Sequence, residues 1–217
     1  MANLQHGHGH AARALPPAAP PEVLSCFELS KGESLYRRGD ADAGLYRVEA
    51  GLLKLCLPVA GGRERILGLA GPGDVLGTLD PAAGRCCEDA EALSSSVRVS
   101  LLDGRADAAA GLRLQALLSQ AEHLRSTLED AELPVPLRLA RAMLRLGQRF
   151  GQQQSDGLVR LTLPLTHDHL AAMIGAARET TSFELARLRR GRLLAGTRGV
   201  YTFRPELLSD FAAPNSP

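Results

Sequence analysis

Residues 165–194 of the 217-residue chain read LTHDHLAAMIGAARETTSFELARLRRGRLL, which is the pattern of two short helices joined by a tight turn. Thr166 can cap the first helix, because a hydroxyl at that position accepts a backbone N–H from the first turn. Leu170 and Ile174 give this helix an apolar face, and Gly175 falls where the chain must turn. The stretch therefore predicts a helix-turn-helix.

The second helix of the pair begins with polar and charged side chains, at the end where a recognition helix meets base edges. An arginine there can bind guanine with two hydrogen bonds, and a carboxylate can accept one from cytosine. Leu188, together with either Phe183 or Leu185, would form the inner face of this helix. The predicted DNA-contacting residues of the whole segment are Thr166, Arg178, Glu179, Thr180, Ser182, Phe183, Arg187 and Arg198.

Positive charge is concentrated around this segment. Residues 165–204 contain seven arginines and three carboxylates, a formal net charge of +4, whereas the whole chain carries +1. Such a surface can neutralise DNA phosphates, which supplies sequence-independent affinity. Residues 199–203 (GVYTF) complete a predicted β-hairpin, so that residues 133–217 form a winged helix-turn-helix domain. The alternative interpretation is a small helical bundle with a solvated arginine face.

The first half of the chain has a different pattern. Residues 1–22 hold three histidines among Gly, Ala and Pro, which predicts a disordered tail. In residues 23–103, short apolar stretches separated by glycines predict an antiparallel β-roll, with a hairpin turn at 60–62 and with Cys56 facing outward. The same range contains no histidine, which excludes a metal-dependent barrel enzyme of the cupin type.

Residues 104–132 predict one long helix. Apolar residues recur along it at three- and four-residue spacing, which is typical of a coiled-coil seam. The seam consists of Leu114, Leu117, Ala121, Leu124, Leu128 and Ala131. We expect two copies of the chain to pair along this seam as a homodimer. The alternative is that the stripe packs against the roll.

The composition sets further limits on function. Hydrophobic residues make up 45% of the chain, but no apolar run approaches the length of a membrane span and no signal peptide is visible. We therefore expect a cytoplasmic location and no membrane partner. No Ser-His-Asp set, carboxylate pair or glycine-rich phosphate loop occurs in a context that supports catalysis, so we do not expect an enzyme.

The order of these parts resembles the superfamily of the cyclic-AMP receptor protein and the fumarate-nitrate regulator, over about residues 23–208. The motifs that carry the resemblance are KGESLYRRGD at 31–40, LYRVEAG at 45–51, GPGDVLG at 71–77 and the segment 170–194. It implies an α+β fold with an N-terminal antiparallel β-roll of the cyclic-nucleotide-binding type, a long dimerisation helix and a C-terminal winged helix-turn-helix. It also implies a homodimeric transcriptional regulator on a near-palindromic site in double-stranded DNA, with RNA polymerase as a partner if it activates.

The recognition helix departs from the family pattern at one position. Relatives carry an Arg-Glu pair, or a Glu, and a further arginine four residues after that Glu. Arg178 and Glu179 match, but Phe183 takes the place of the second arginine. A phenyl ring can touch a thymine methyl group and cannot hydrogen-bond to guanine, so we expect a different half-site. Alternatively, Phe183 belongs to the core.

The effector pocket departs further. Cyclic-nucleotide binders of the family hold the phosphate with a Gly-Glu and an Arg-Ser pair, which align here with Gly77-Thr78 and Cys86-Cys87. Without the arginine, burial of a phosphodiester would cost several kcal/mol, so we expect no tight response to cyclic AMP. Arg85 would supply a cation at the phosphate position only if the alignment with the family pattern were shifted. The candidate pocket residues are Gly77, Thr78, Arg85, Cys86, Cys87, His123 and Leu124.

The cysteines leave several sensor chemistries open. A cytoplasmic protein is not expected to hold structural disulfides. Four thiolates suit an iron–sulfur cluster, but the oxygen-sensing relatives place their ligands before the roll. A thiol switch beside Arg85, a haem held by a cysteine and His123, an unrecognised small molecule, and inert buried thiols remain as alternatives. The candidate metal ligands are Cys26, Cys56, Cys86, Cys87 and His123.

A function of another class is also compatible with this sequence. The chain could be a cyclic-nucleotide-type binding module whose C-terminal domain meets a protein partner. The cluster at residues 178–180 and the local charge favour DNA instead.

Overall fold

The computed structural model of the chain describes four stretches, residues 22–41, 44–77, 84–103 and 109–213. Within them the chain forms a β-roll, a long helix and a helix-turn-helix unit with a small sheet, which confirms the predicted α+β architecture. Thr78 and nearly all of the predicted tail lie outside the described residues. None of the described helices is both long enough and apolar enough to cross a membrane.

The roll consists of two four-stranded antiparallel sheets. The first has the order β1-β8-β3-β6, with strands at Val23–Ser30, Ser96–Leu102, Leu45–Ala50 and Val75–Gly77. The second has the order β2-β7-β4-β5, with strands at Ser34–Tyr36, Asp89–Ala92, Leu53–Val59 and Arg63–Ala70. Residues 60–62 join β4 to β5 as the predicted hairpin turn. Gly61 and Gly62 have φ angles of 80° and 70° there, which glycine adopts without steric cost.

The second sheet is covered on both faces. Cys56 and Lys54 are only 3% and 6% exposed, so the prediction that Cys56 faces outward is wrong. Cys56, Ile66 and Leu69 belong to the same hydrophobic cluster as the core of the C-terminal unit. Lys54 is accommodated by ion pairs with carboxylates of β5 and β7, at 2.6 and 3.2 Å. The outer face of β4 and β5 is therefore an internal surface, on which the C-terminal unit packs.

Helix α1 (Ala109–Ala131) has two different faces. One packs on the roll, where Ala109 and Ala116 join the buried cluster of Leu45 and Leu102. The predicted seam lies exposed on the other face, with Leu128 73% accessible in the single chain. Among the described residues, the stripe therefore does not pack against the roll.

The C-terminal unit combines helices with a four-stranded sheet. Its helices are α2 (Val135–Phe150), α3 (His167–Ile174), α4 (Arg178–Arg190) and α5 (Pro205–Ala212). The sheet has the order β11-β12-β10-β9, with strands at Ala195–Thr197, Val200–Phe203, Val159–Thr162 and Gln152–Gln153. The predicted hairpin after the second helix is confirmed as β11–β12. Large buried residues, including Leu139, Met143, Leu170 and Tyr201, form its core.

An ion-pair cluster connects α1 to α2. Asp130, near the end of α1, has a side chain only 6% exposed. It accepts hydrogen bonds from Arg145 at 2.6 Å and from Arg141 at 3.3 Å. Because the two arginines are one turn apart on α2, the carboxylate fixes the angle at which that helix leaves α1.

Replacing Asp130 with alanine is expected to lower the free energy of unfolding by about 2 kcal/mol, because two guanidinium groups lose a buried acceptor. Urea unfolding at a fixed protein concentration measures the change. Glu132→Ala is the matched control, since Glu132 is exposed and nearby. Equal losses in the two variants would contradict a structural role for Asp130.

Candidate nucleic-acid interface and sensor pocket

The first helix of the helix-turn-helix begins with a reciprocal cap. The Thr166 hydroxyl accepts a hydrogen bond from the His169 backbone N–H at 3.2 Å, and the His169 ring accepts one from the Thr166 N–H at 3.3 Å. Gly175 ends the helix in the left-handed conformation, with φ 61°. Sequence analysis found the cap and the turn but missed His169, because a histidine at the third position is not the usual Glu or Gln of this motif.

Helix α4 has a buried apolar face and exposes the polar side chains of its N-terminal turns. Leu185 and Leu188 are 0% and 1% exposed, and the buried Thr181 hydroxyl donates to the Ala177 carbonyl at 2.9 Å. Of the predicted DNA-contacting residues on this helix, those that are exposed are Arg178, Glu179, Thr180, Phe183 and Arg187. The buried face holds these side chains in a fixed register.

Phe183 is 59% exposed, so the alternative that it belongs to the core is wrong. Leu185 takes the inner position instead. The Phe183 ring lies 6.0 Å from the Arg190 guanidinium, close enough for a cation–π contact. An exposed aromatic ring on the polar face of α4 is available to a partner.

Ser182 has a different environment from its neighbours. It is half-buried, and its hydroxyl lies 2.8 Å from the His167 ring Nδ1, so that it connects α4 to α3. Arg178 forms an ion pair with Asp168 at 3.4 Å, but both side chains are more than 60% exposed. Such a pair contributes little to stability, so the Arg178 guanidinium can leave it for a ligand at small cost.

The hairpin after α4 carries a further arginine at its turn. Arg198 is exposed and has φ 53°, a left-handed conformation that the neighbouring Gly199 shares. The Arg189 guanidinium donates to the Gly196 carbonyl at 3.3 Å, which connects the hairpin to α4. The structure thus places Arg198 on an element that α4 supports directly.

The roll has a small pocket at its contact with α1. Its described walls include Gly77, Glu88, Gln120 and His123, and they enclose about 10 Å³, roughly the space that one water molecule needs. Glu88 is only 7% exposed and accepts a hydrogen bond from the Gln120 amide at 3.5 Å. Burial raises the pKa of the Glu88 carboxyl. Sequence analysis missed Glu88, although it directly follows the cysteine pair aligned with the phosphate site.

The structure separates the residues predicted for this pocket. Gly77 and His123 line it, whereas Leu124 is exposed on the seam. Arg85 is exposed and donates to the Gly39 carbonyl at 2.7 Å. Cys86 is buried among the apolar residues of the roll, and Cys87 is exposed.

The described part of this pocket has two titratable side chains, Glu88 and His123. Its described lining contains no arginine or lysine, and burial followed by the charge of Arg149 lowers the pKa of His123. A phosphate there would lie beside the Glu88 carboxyl, which offers it no positive charge.

The four cysteines do not converge either. Cys26 lies on β1, Cys56 is buried on β4, and Cys86 and Cys87 precede β7. Within residues 22–41, 44–77, 84–103 and 109–213, no three His, Cys, Asp or Glu side chains are placed to share a metal ion. The arrangement therefore does not support an iron–sulfur cluster on these four thiols.

Two families match this chain, one for each half. Residues 26–106 match the cyclic nucleotide-binding domain. Residues 137–211 match the Crp-like helix-turn-helix domain. The two matches cover the roll and the C-terminal unit described above.

The chain is also similar to individual transcriptional regulators over most of its length. The chain is 32% identical to the CRP-like cAMP-activated global transcriptional regulator of Mycobacterium tuberculosis over 180 residues, which cover 78% of this chain and 79% of the relative. It is also 32% identical to the cyclic AMP receptor protein of Thermus thermophilus over 184 residues, 76% of this chain and 79% of that one. A solved CRP-family regulator from Thermus thermophilus matches with a TM-score of 0.70 and 25% identity, covering 86% and 96% of the two chains.

The environments of the thiols predict a graded reactivity. Burial, followed by the charge of Glu64, raises the pKa of Cys56 to about 12, so little thiolate exists at pH 8. In the native protein an aromatic disulfide reagent is expected to modify the exposed Cys26 and Cys87 well before Cys56. Peptide mass spectrometry assigns the sites, and the unfolded protein, in which all thiols should react alike, is the control. Equal rates for Cys56 and Cys87 in the native protein would contradict this assignment.

Proposed function

This chain belongs to the Crp/Fnr family of transcriptional regulators, and from that premise we propose that it acts as a homodimer on a near-palindromic DNA site without requiring cyclic AMP. The main support for this proposal is the arrangement of α4. The polar side chains of its first turns are exposed, while Leu185 and Leu188 on its opposite face are buried. We expect it to act in the cytoplasm without catalysis of its own, and with RNA polymerase as a partner if it activates.

Base recognition is assigned to the first turns of α4. Arg178 and Glu179 match the guanine-binding and cytosine-binding chemistries, and their side chains are exposed. Thr166, Arg187 and Arg198 are exposed around them and supply phosphate contacts. Ser182 acts through its contact with His167 at 2.8 Å, which sets the position of α4 on α3.

The homodimer rests on the uncovered seam of α1. Leu114, Leu117, Leu124 and Leu128 are 55%, 47%, 45% and 73% exposed in the single chain. A helix face with this much exposed leucine gains free energy when it is covered. Pairing of two such helices would place two copies of α4 on half-sites about one helical turn, or 34 Å, apart.

Independence from cyclic AMP rests on Glu88. The relatives named above are described as cAMP-activated and as a cyclic AMP receptor. In this chain the described pocket presents a buried carboxyl, and it encloses about 10 Å³. A ligand that depends on its phosphodiester for affinity would meet no cation among the described residues of this pocket. Nothing there would offset the cost of desolvating the phosphodiester.

For DNA binding, Arg178→Ala is expected to reduce the affinity for the selected site by about 10- to 100-fold, since one two-hydrogen-bond base contact is worth roughly 1–3 kcal/mol. Binding to bulk DNA should change little. Arg198→Ala should weaken both kinds of binding and lower the salt dependence by roughly one unit of slope. Fluorescence anisotropy over a series of salt concentrations measures all of these. Equal losses on all sequences from Arg178→Ala would contradict base reading, and no salt-dependent binding in the native protein would favour a protein partner instead.

For specificity, Phe183→Arg restores an arginine four residues after Glu179. Selection from a random DNA pool should then return a half-site with guanine at a position where the native protein selects another base pair. Phe183→Leu is the control that removes the ring without adding a donor. An unchanged consensus with Phe183→Arg would contradict contact between this position and the bases.

For assembly, the double substitution Leu124→Glu and Leu128→Glu is expected to convert the dimer to monomers, because four carboxylates would lie on one paired seam. Sedimentation velocity measures the change. Gln115→Glu adds one charge at an exposed position of the same helix and should leave the dimer intact. A dimer that survives the double substitution would place the interface elsewhere.

A further inference from the structure

A cavity of about 340 Å³ lies where β5, α1, α2 and α3 meet. This volume falls within the range of small-molecule sites, roughly 300–1,000 Å³, and such sites are frequent between domains. Its apolar walls are Ile66, Leu69, Ala142, Leu146, Phe150 and Met173. Among the described residues it shares only His123 with the pocket that contains Glu88. It is therefore a second chamber, between the roll and the helix-turn-helix.

The carboxylates in the wall of this cavity are already paired. Asp130 is bound by Arg145 at 2.6 Å, and Glu122 by Arg125 at 2.7 Å. Arg149 in turn pairs with Asp74, outside the cavity wall. The two carboxylates of the wall, Asp130 and Glu122, are therefore each bound by another arginine.

Among the cationic side chains of the cavity wall, Arg65 has a different environment. Its Nε is buried and has no hydrogen-bond partner among the described residues. Its guanidinium packs so closely over Gly175 that a side chain there would collide with it. The positive charge of Arg65 thus lies at the turn of the helix-turn-helix.

A second guanidinium increases the local positive potential. Arg138 on α2 donates to the Ile174 carbonyl at 2.7 Å, at the end of the same turn. Burial, and then repulsion from Arg138, lower the pKa of Arg65, whereas the charge of Asp130 raises it. Because Asp130 already accepts hydrogen bonds from Arg145 and Arg141, a further anion beside Arg65 would reduce the cost of burying its charge.

We propose that this cavity binds a small organic anion with an apolar, ring-sized body, whose anionic group accepts hydrogen bonds from Arg65. The body would contact Leu146, Phe150 and Met173, and would span from the roll to α3. Such a ligand stabilises one placement of the helix-turn-helix relative to the roll. Any consequence for DNA affinity rests on the proposed function, whereas binding of the anion does not.

The test uses two fluorescent probes of similar shape. 8-Anilinonaphthalene-1-sulfonate carries an anionic group, and N-phenyl-1-naphthylamine is its neutral counterpart. Arg65→Met removes the charge and keeps the length of the side chain. Arg63→Met is the matched control, because Arg63 is an exposed arginine on the same strand and does not line the cavity. Fluorescence titration of the full chain, without DNA, gives the affinity of each protein for each probe.

We expect Arg65→Met to weaken binding of the sulfonate at least about tenfold, the loss of one charge-assisted contact. The neutral probe should bind the same variant as it binds the native protein, and Arg63→Met should change neither affinity. Ala142→Leu, which narrows the cavity, should weaken both probes. Unchanged sulfonate affinity in Arg65→Met would overturn the proposal. Equal weakening of the two probes by Arg65→Met would also overturn it, because the effect would then lie in cavity shape and not in charge.

Discussion

The contact on which this structure depends is the packing of the outer face of β4 and β5 against the helix-turn-helix unit. Cys56, Ile66 and Leu69 are buried there together with Leu139, Met143 and Leu170. Where these side chains are in close contact, a shift of β4 or β5 would displace the helix residues that pack on them. The roll and the DNA-reading unit therefore share one core, and a change in one biases the position of the other.

Helix α1 extends this coupling to the proposed second copy of the chain. One face of α1 packs on the roll through Ala116, and the opposite face presents the leucine seam. At its end, Asp130 holds Arg145 of α2 at 2.6 Å. His123 lies between the roll pocket and the larger cavity and contacts Arg149 at 3.3 Å. Changes in the roll can thus reach both the seam and the angle of α2.

Local patterns were sufficient to predict the helix-turn-helix and its hairpin. The spacing of Leu170 and Ile174, and the cap and turn residues around them, are properties of neighbouring positions, and the structure confirms the helices they predicted. The outward orientation of Cys56 failed for a physical reason: alternation identifies one buried face of a strand, but not a second face covered by a segment more than 80 residues away. The burial of Glu88 and the position of Arg65 in its cavity also depend on such distant packing, which no short window of sequence contains.

Hydroxyl-radical footprinting on a fragment selected from a random pool tests whether paired copies of this chain read DNA through α4. We expect protection of two half-sites related by near-palindromic symmetry, with centres about one helical turn apart on the same face of the duplex. Enrichment of no sequence, or protection of a single half-site by the native protein, would contradict DNA reading by a dimer.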